Sequence, residues 1–114
     1  MLNLIVLRAN EPEVLTHFYE GFGWAFVKEG HGGGPIHYAY ERNGSVFEIY
    51  PRSAKHPSTT SVRLGFVVED LTKVCSETIK RAGSVVSAPR PSSRGLEAVV
   101  RDPEGHTLAL VELS

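Results

Sequence analysis

Residues 61–83, SVRLGFVVEDLTKVCSETIKRAG, repeat the organisation of residues 2–23, LNLIVLRANEPEVLTHFYEGFG. Each stretch opens with a mostly apolar run that predicts a well-buried β-strand. Each continues into a segment with apolar residues at helical spacing, and glycine marks its end. These residues share the offsets i, i+1, i+4, i+5 and i+8; they are Val14, Leu15, Phe18, Tyr19 and Phe22, then Val74, Cys75, Thr78, Ile79 and Ala82. The repeat indicates an internal duplication of one supersecondary unit.

Three further strands are predicted after each helix. The last two of the first half are joined by Asn43-Gly44, a strong hairpin signal, and those of the second by residues 102–105, Asp-Pro-Glu-Gly. Segment 89–95, PRPSSRG, is rich in turn formers and is predicted to be a loop. The predicted strands span residues 24–28, 36–41 and 45–50, then 84–88, 96–101 and 106–113. The order βαβββ therefore occurs twice.

This repeat predicts a single α+β domain over residues 1–114, built from two tandem βαβββ modules. Module one covers about residues 1–51, a linker covers 52–60, and module two covers about 61–114. In each module one helix covers one face of the sheet, so the other face needs a partner. Two modules side by side would form a curved mixed sheet with a concave cleft.

The two helix starts carry signals for side-chain caps. Asn10, followed three residues later by Glu13, resembles a capping box, and Pro12 suits an early helical position. Asp70 can cap the second helix. We therefore expect a polar side chain to bond the first turn of each helix.

The composition is that of an ordinary globular protein of one domain. The chain has 114 residues, 41% of them hydrophobic and 22% charged, and a net charge of −1. That charge balance predicts no broad attraction to nucleic acid or to a membrane surface. One cysteine, Cys75, allows no intrachain disulfide, and no signal-peptide pattern is present at the N-terminus. A cytoplasmic location is expected.

Three motifs show a resemblance to the vicinal oxygen chelate superfamily, the glyoxalase, bleomycin-resistance and dioxygenase proteins. Together with the glycines that follow the first helix, they are spread over nearly the whole chain, from residue 7 to residue 110. The third, a closing hairpin, is the most specific. The motifs are LRANEPEVLTHFY at 7–19, GFVVEDL at 65–71 and DPEGHTLAL at 102–110. The resemblance implies the glyoxalase/bleomycin-resistance fold of paired βαβββ modules.

In metal-dependent members of that family, four ligands come from the first and fourth strands of the two modules. The resemblance places these positions at Leu4 and Glu48 in the first module and at Arg63 and Ala109 in the second. Leucine and alanine donate nothing to a metal, and arginine is a permanent cation. The histidines, His31 among them, show no HxH or HExxH spacing. We therefore predict no bound metal and no cofactor.

Glu48 and Arg63 are the most informative candidate site residues. Strand alternation places Glu48 and Tyr50 opposite Phe47 and Ile49, and therefore in the cleft. In one interpretation Arg63 binds an anionic ligand or Glu48 receives a cationic one. In the other, the two residues form an energetically coupled ion pair that closes the former metal site. The sequence leaves both open.

Four aromatic residues on or beside the third strand are further candidates. His37 alternates with Tyr38 and Tyr40, and alternation alone leaves open which set lines the cleft. Ligand-binding roles are assigned to His37, Tyr38, Tyr40 and, on the fourth strand, Tyr50, because aromatic rings can stack on a planar ligand. In the alternative, Tyr38 and Tyr40 pack against the helix or, with Trp24, cover a subunit interface.

The favoured function is binding of a small molecule in the cleft by a metal-free protein of the glyoxalase/bleomycin-resistance type. The alternative is an enzyme of the superfamily, a lyase, isomerase or dioxygenase acting on a small oxygenated substrate, with Glu48 as a catalytic base. A third interpretation is an interaction module without a ligand. The resemblance also implies a homodimer, and the charge balance predicts no nucleic acid or membrane partner.

Overall fold

The computed structural model describes residues 1–30 and 32–114, so His31 lies outside the described residues. Its element order confirms the predicted βαβββ repeat. The first half contains β1 (Leu4–Ala9), α1 (Pro12–Glu20), β2 (Val27–Glu29), β3 (His37–Arg42) and β4 (Ser45–Pro51). The second contains β5 (Arg63–Val67), α2 (Leu71–Lys80), β6 (Ser84–Ser92), β7 (Gly95–Arg101) and β8 (Thr107–Leu113).

The chain divides into two compact units, Met1–Thr59 and Thr60–Ser114, each with its own four-stranded mixed sheet. The strand order is β1-β4-β3-β2 in the first unit and β5-β8-β7-β6 in the second. In both, the first strand pairs in parallel with the last, and the remaining pairs are antiparallel. Within the described residues, no helix combines the length and apolar character that crossing a membrane requires.

In the first unit, one sheet face packs against α1 through an aromatic cluster. Leu7 and Ile49 are fully buried on this face. Tyr19 of α1 lies 4.9 Å from Phe47 between ring centroids, and Trp24 stacks on Tyr40 at 5.3 Å. Since successive strand residues point to opposite faces, Val46, Glu48 and Tyr50 lie on the face away from α1.

The second unit packs α2 against its sheet with smaller side chains. Leu108 and Val100 are fully buried, and Cys75 occupies the helix position that Leu15 holds in the first unit. Burial raises the pKa of the Cys75 thiol. Ile79, counted in the predicted apolar stripe, is instead 67% exposed, so the buried stripe of α2 is narrower than that prediction.

The two helices differ in whether a side chain accepts a hydrogen bond from the backbone N–H groups of the first turn. Asp70 caps α2 as predicted, because its carboxylate accepts a hydrogen bond from the Lys73 N–H at 3.1 Å. The predicted capping box at Asn10 is wrong. The N-cap of α1 is Glu11, with no side-chain cap bond, and the side-chain oxygen Oδ1 of Asn10 accepts a hydrogen bond from Arg52 at 3.2 Å.

The predicted loop at 89–95 is also wrong for most of its length. β6 runs on to Ser92 and includes Pro89 and Pro91, and β7 begins at Gly95. β6 is the edge strand of its sheet, with register irregularities in its pairing to β7. An edge strand tolerates proline because one of its sides carries no ladder hydrogen bonds.

The closing hairpins of the two units are built differently. In the first, Asn43 (φ 52°) and Gly44 (φ 82°) adopt left-handed conformations, which confirms the predicted two-residue turn. In the second, the Asp102 carboxylate is buried and accepts from the backbone N–H groups of Glu104 and His106, each at 3.0 Å. It also bonds the buried His106 ring at 2.8 Å.

Candidate functional site

The sheet face of the first unit that points away from α1 brings three ionisable side chains together. Cross-strand register places Glu29 of β2 beside His37 of β3, and Glu48 of β4 beside Ala39 of β3. Nε2 of His37 lies 3.1 Å from Oε1 of Glu29 and 3.9 Å from Oε2 of Glu48. One ligand-type atom from each of the three residues lies within 4.8 Å of the others. These three residues are called the acidic cluster below.

The histidine of the acidic cluster is buried, whereas its carboxylates are partly open to solvent. His37 is only 5% exposed, and the side chains of Glu29 and Glu48 are 36% and 21% exposed. The other ring nitrogen of His37, Nδ1, lies 3.2 Å from the carbonyl oxygen of Pro35. The ring is therefore held at both nitrogens, with Nε2 directed at the carboxylates.

Two further side chains form a stack beside the acidic cluster. The ring of Tyr50 lies parallel to that of His37, with centroids 4.1 Å apart. The guanidinium of Arg8 lies 4.6 Å from the centroid of Tyr50. Burial raises the pKa of Tyr50, and the nearby Glu48 carboxylate raises it further, while Arg8 acts in the opposite direction.

Tyr38 and Tyr40 point to the other face of β3, toward α1. The Tyr38 hydroxyl donates to Oε1 of Glu13 at 3.2 Å, and Tyr40 packs on Trp24 and Phe26. Partial burial, together with that hydrogen bond, raises the pKa of Tyr38. Of the four predicted aromatic candidates, the structure brings His37 and Tyr50 to Glu48 and places Tyr38 and Tyr40 on the opposite face.

The second unit carries a groove of about 430 Å³ over its sheet, on the face away from α2. Its apolar floor includes Val99, Ala109 and Val111, and Gly65 adds no side chain. The charged residues that line it are three arginines and one carboxylate, namely Arg63, Arg90, Arg94 and Glu97. This groove is called the arginine groove below.

The family model of the Glyoxalase/Bleomycin resistance protein/Dioxygenase superfamily matches residues 1–110. The chain belongs to this superfamily. A search of curated protein sequences found no significant match.

Solved structures share the fold at low sequence identity. A glyoxalase/bleomycin resistance protein from Albidiferax ferrireducens T118 is 19% identical, with a TM-score of 0.78, and the match covers 100% of this chain and 99% of that one. TnmS3, an antibiotic binding protein from Streptomyces sp. CB03234, is 20% identical, with a TM-score of 0.73 and coverages of 100% and 96%. A family enzyme from Burkholderia phytofirmans PsJN is 17% identical, with a TM-score of 0.75 and coverage of 98% of each chain.

The residues at the four positions where the resemblance predicts metal ligands do not fit a metal. Leu4 is half-exposed at the start of β1, and Ala109 lies in the floor of the arginine groove; neither side chain has a donor atom. Arg63 lines the same groove as a permanent cation. Glu48 alone is of a ligand type. The predicted pairing of Glu48 with Arg63 joins residues of different units and stays a prediction.

Sequence reasoning missed Glu29, Arg90 and Arg94. Glu29 falls one residue beyond the predicted second strand, and only its pairing with β3 places it beside His37. Arg90 and Arg94 fall in the segment predicted to be a loop, whereas β6 and the turn after it place them at the groove. A usable signal was the excess of arginine over acidic residues in segment 89–95, which contains two arginines and no carboxylate.

Proposed function

We propose that this protein binds a small organic anion with an apolar body in the arginine groove of the second unit. The observation that carries the proposal is the lining: three arginines and one glutamate surround an apolar floor. Ligand sites are typically concave, largely apolar and provided with a few polar groups that orient the ligand. The volume of about 430 Å³ lies within the usual range for such sites.

Arginine suits an anion for a geometric reason. Its planar guanidinium can donate two parallel hydrogen bonds to a carboxylate, sulfonate or phosphate, and it stays charged at every physiological pH. Arg63, Arg90 and Arg94 outnumber the single carboxylate of Glu97, so the local charge is positive although the whole chain has a net charge of −1. We therefore assign the anionic group of the ligand to the arginines and its apolar part to Val99, Ala109 and Val111.

Binding in this groove would not involve the superfamily's metal centre. Arg63 and Ala109, at two of the four ligand positions, supply a cation and a methyl group to the groove. Support for a binding role also comes from TnmS3, which has the same fold and is described as an antibiotic binding protein.

The test compares 2-naphthoate with its neutral analogue 2-naphthamide by isothermal titration calorimetry. We expect naphthoate to bind and naphthamide to bind at least about tenfold more weakly, because a hydrogen bond to a charged group contributes roughly 1.5–3 kcal/mol. Arg63→Met and Arg94→Met should each weaken naphthoate binding by about tenfold or more. Arg42→Met, at an exposed arginine of the first unit, is the matched control and should change nothing.

Two results would contradict the proposal. One is equal affinity for the acid and the amide, since the arginines would then contribute no charge recognition. The other is an equal loss of affinity in Arg42→Met and Arg63→Met, which would indicate non-specific attraction to positive charge. Circular dichroism of each variant checks that the fold is retained.

We also propose that the protein is a homodimer, as the family resemblance implies. Large apolar side chains on both sheets remain open to solvent; Leu4, Val27 and Val67 are 50%, 59% and 57% exposed. Covering such side chains is a usual source of stability for an interface. Light scattering coupled to size-exclusion chromatography should give twice the chain mass at micromolar concentration, and a monomer mass would refute the pairing.

A further inference from the structure

We propose that the acidic cluster, Glu29, His37 and Glu48, is a binding site for one divalent transition-metal ion within the first unit. The site differs from the superfamily's arrangement, which takes ligands from the first and fourth strands of both modules; only Glu48 is common to the two. The proposal replaces the sequence-based prediction that the protein binds no metal. The acidic cluster shares no residue with the arginine groove, which belongs to the other unit, so the inference does not rest on the proposed ligand function.

The hydrogen bonds of His37 carry the argument. The carbonyl oxygen of Pro35 can only accept, so the contact at 3.2 Å requires the proton on Nδ1. The other ring nitrogen, Nε2, faces the carboxylates of Glu29 and Glu48 at 3.1 and 3.9 Å, and it forms a hydrogen bond with Glu29 when no ion is present. A metal ion at this point would take the place of the proton in that hydrogen bond and bind one atom from each of the three residues.

The surroundings of His37 match those of metal-binding histidines. Such histidines usually donate their other ring N–H to a backbone carbonyl or a carboxylate, which fixes the ring orientation and makes the ligating nitrogen more basic. Here Pro35 accepts that bond and Tyr50 stacks on the ring at 4.1 Å, so rotation of His37 is restricted. His37 is only 5% exposed, while the partly exposed carboxylates leave a route for an ion to enter.

The distances suit a small ion after a modest rotation of the carboxylates. Ligands at about 2.1 Å from a tetrahedral Zn²⁺ lie roughly 3.4 Å from one another. The ligand atoms of the acidic cluster lie within 4.8 Å of one another, and both glutamates have partly exposed ends that can turn. One imidazole and two carboxylates favour Zn²⁺, Mn²⁺ or Fe²⁺ over Mg²⁺, which binds through oxygen and retains several waters.

The experiment titrates Zn²⁺ into protein that has been treated with EDTA and dialysed, with Mg²⁺ as a comparison ion. We expect one Zn²⁺ per chain and much weaker binding of Mg²⁺. Glu29→Gln and Glu48→Gln should each lower the Zn²⁺ affinity by roughly 100-fold or more, since even the loss of an outer-shell partner costs 10–100-fold. Glu41→Gln is the matched control, because Glu41 lies on β3, on the same face as His37, but outside the acidic cluster.

A second measurement observes the ring nitrogens of His37 directly. Nitrogen-15 NMR of the His37 ring should show the Nε2 signal of a metal-bound nitrogen when one equivalent of Zn²⁺ is added, with Nδ1 still protonated. Absence of Zn²⁺ binding, or equal binding by Glu29→Gln, Glu48→Gln and Glu41→Gln, would overturn the proposal. So would an Nε2 that keeps a proton in the presence of Zn²⁺, because the cluster would then be an imidazolium held by two carboxylates.

Discussion

The two units have the same order of elements and the same strand pairing. The sheet faces that point away from their helices nevertheless carry side chains of opposite charge. The face away from α1 presents Glu29, His37 and Glu48. The face away from α2 presents the arginine groove, in which arginines outnumber the one carboxylate. Because only the helix-covered faces must be apolar, a duplicated fold leaves the residues of the free faces to vary. Fold alone therefore does not determine function.

The closing hairpins of the two units also differ, in the interactions that stabilise them. The first unit turns through the exposed pair Asn43-Gly44, whose stability depends on backbone conformation. The second turns through a buried network in which one carboxylate, that of Asp102, serves two backbone N–H groups and the ring of His106. Equivalent turns therefore depend on different kinds of interaction, and mutations can separate them.

The largest expected difference is between Asp102→Ala and Asn43→Ala. Asp102→Ala should lower the free energy of unfolding by about 3 kcal/mol or more, because the buried N–H and ring of His106 and the partly buried N–H of Glu104 lose their acceptor, at roughly 1–3 kcal/mol for a buried donor. Asn43→Ala should cost about 1 kcal/mol, since alanine fits a left-handed turn less well. Urea unfolding measures both, and equal effects would show that the buried network contributes no more than an ordinary turn.

A smaller effect is expected where each helix connects to the next strand. The left-handed residue after α1 is Gly23 (φ 90°), whereas the one after α2 is Ala82 (φ 68°). Glycine adopts this conformation without the steric cost that alanine has. Ala82→Gly should therefore raise the free energy of unfolding by about 0.5–1 kcal/mol, and Gly23→Ala should lower it by about 1 kcal/mol. Thermal and urea unfolding check both signs, and a destabilising Ala82→Gly would contradict the argument.

The smallest effect tests the charge contrast between the two free faces. Glu97→Gln removes the one carboxylate from the lining of the arginine groove, so naphthoate binding should strengthen by about two- to fivefold, the equivalent of less than 1 kcal/mol for a partly exposed charge. Glu20→Gln removes an exposed carboxylate from α1 of the first unit and should leave that affinity unchanged. The same calorimetric titration is applied to both variants. Equal gains in naphthoate affinity would mean that net charge, and not the groove, controls binding.

Much of the fold could be predicted from the sequence because it depends on neighbouring residues. The repeated apolar spacing predicted both helices, Asn43-Gly44 predicted its hairpin, and Asp70 predicted its cap, all of which the structure confirms. The two wrong predictions, the capping box and the loop at 89–95, concern features that depend on distant parts of the fold. Asn10 forms its hydrogen bond with Arg52, which is distant in sequence, and the prolines of β6 are tolerated because that strand lies at an edge.

The candidate sites depended more on contacts between distant residues. By itself, strand alternation placed Glu48 and Tyr50 on one face, because side chains alternate along every strand. Only the tertiary structure decided that His37, and not Tyr38 or Tyr40, shares this face, since the packing of Tyr40 on Trp24 orients β3. It also brought Glu29 to His37 through the pairing of β2 with β3, and Arg90 and Arg94 to one groove. Such groupings join residues through strand pairing and packing, which no local pattern in the sequence specifies.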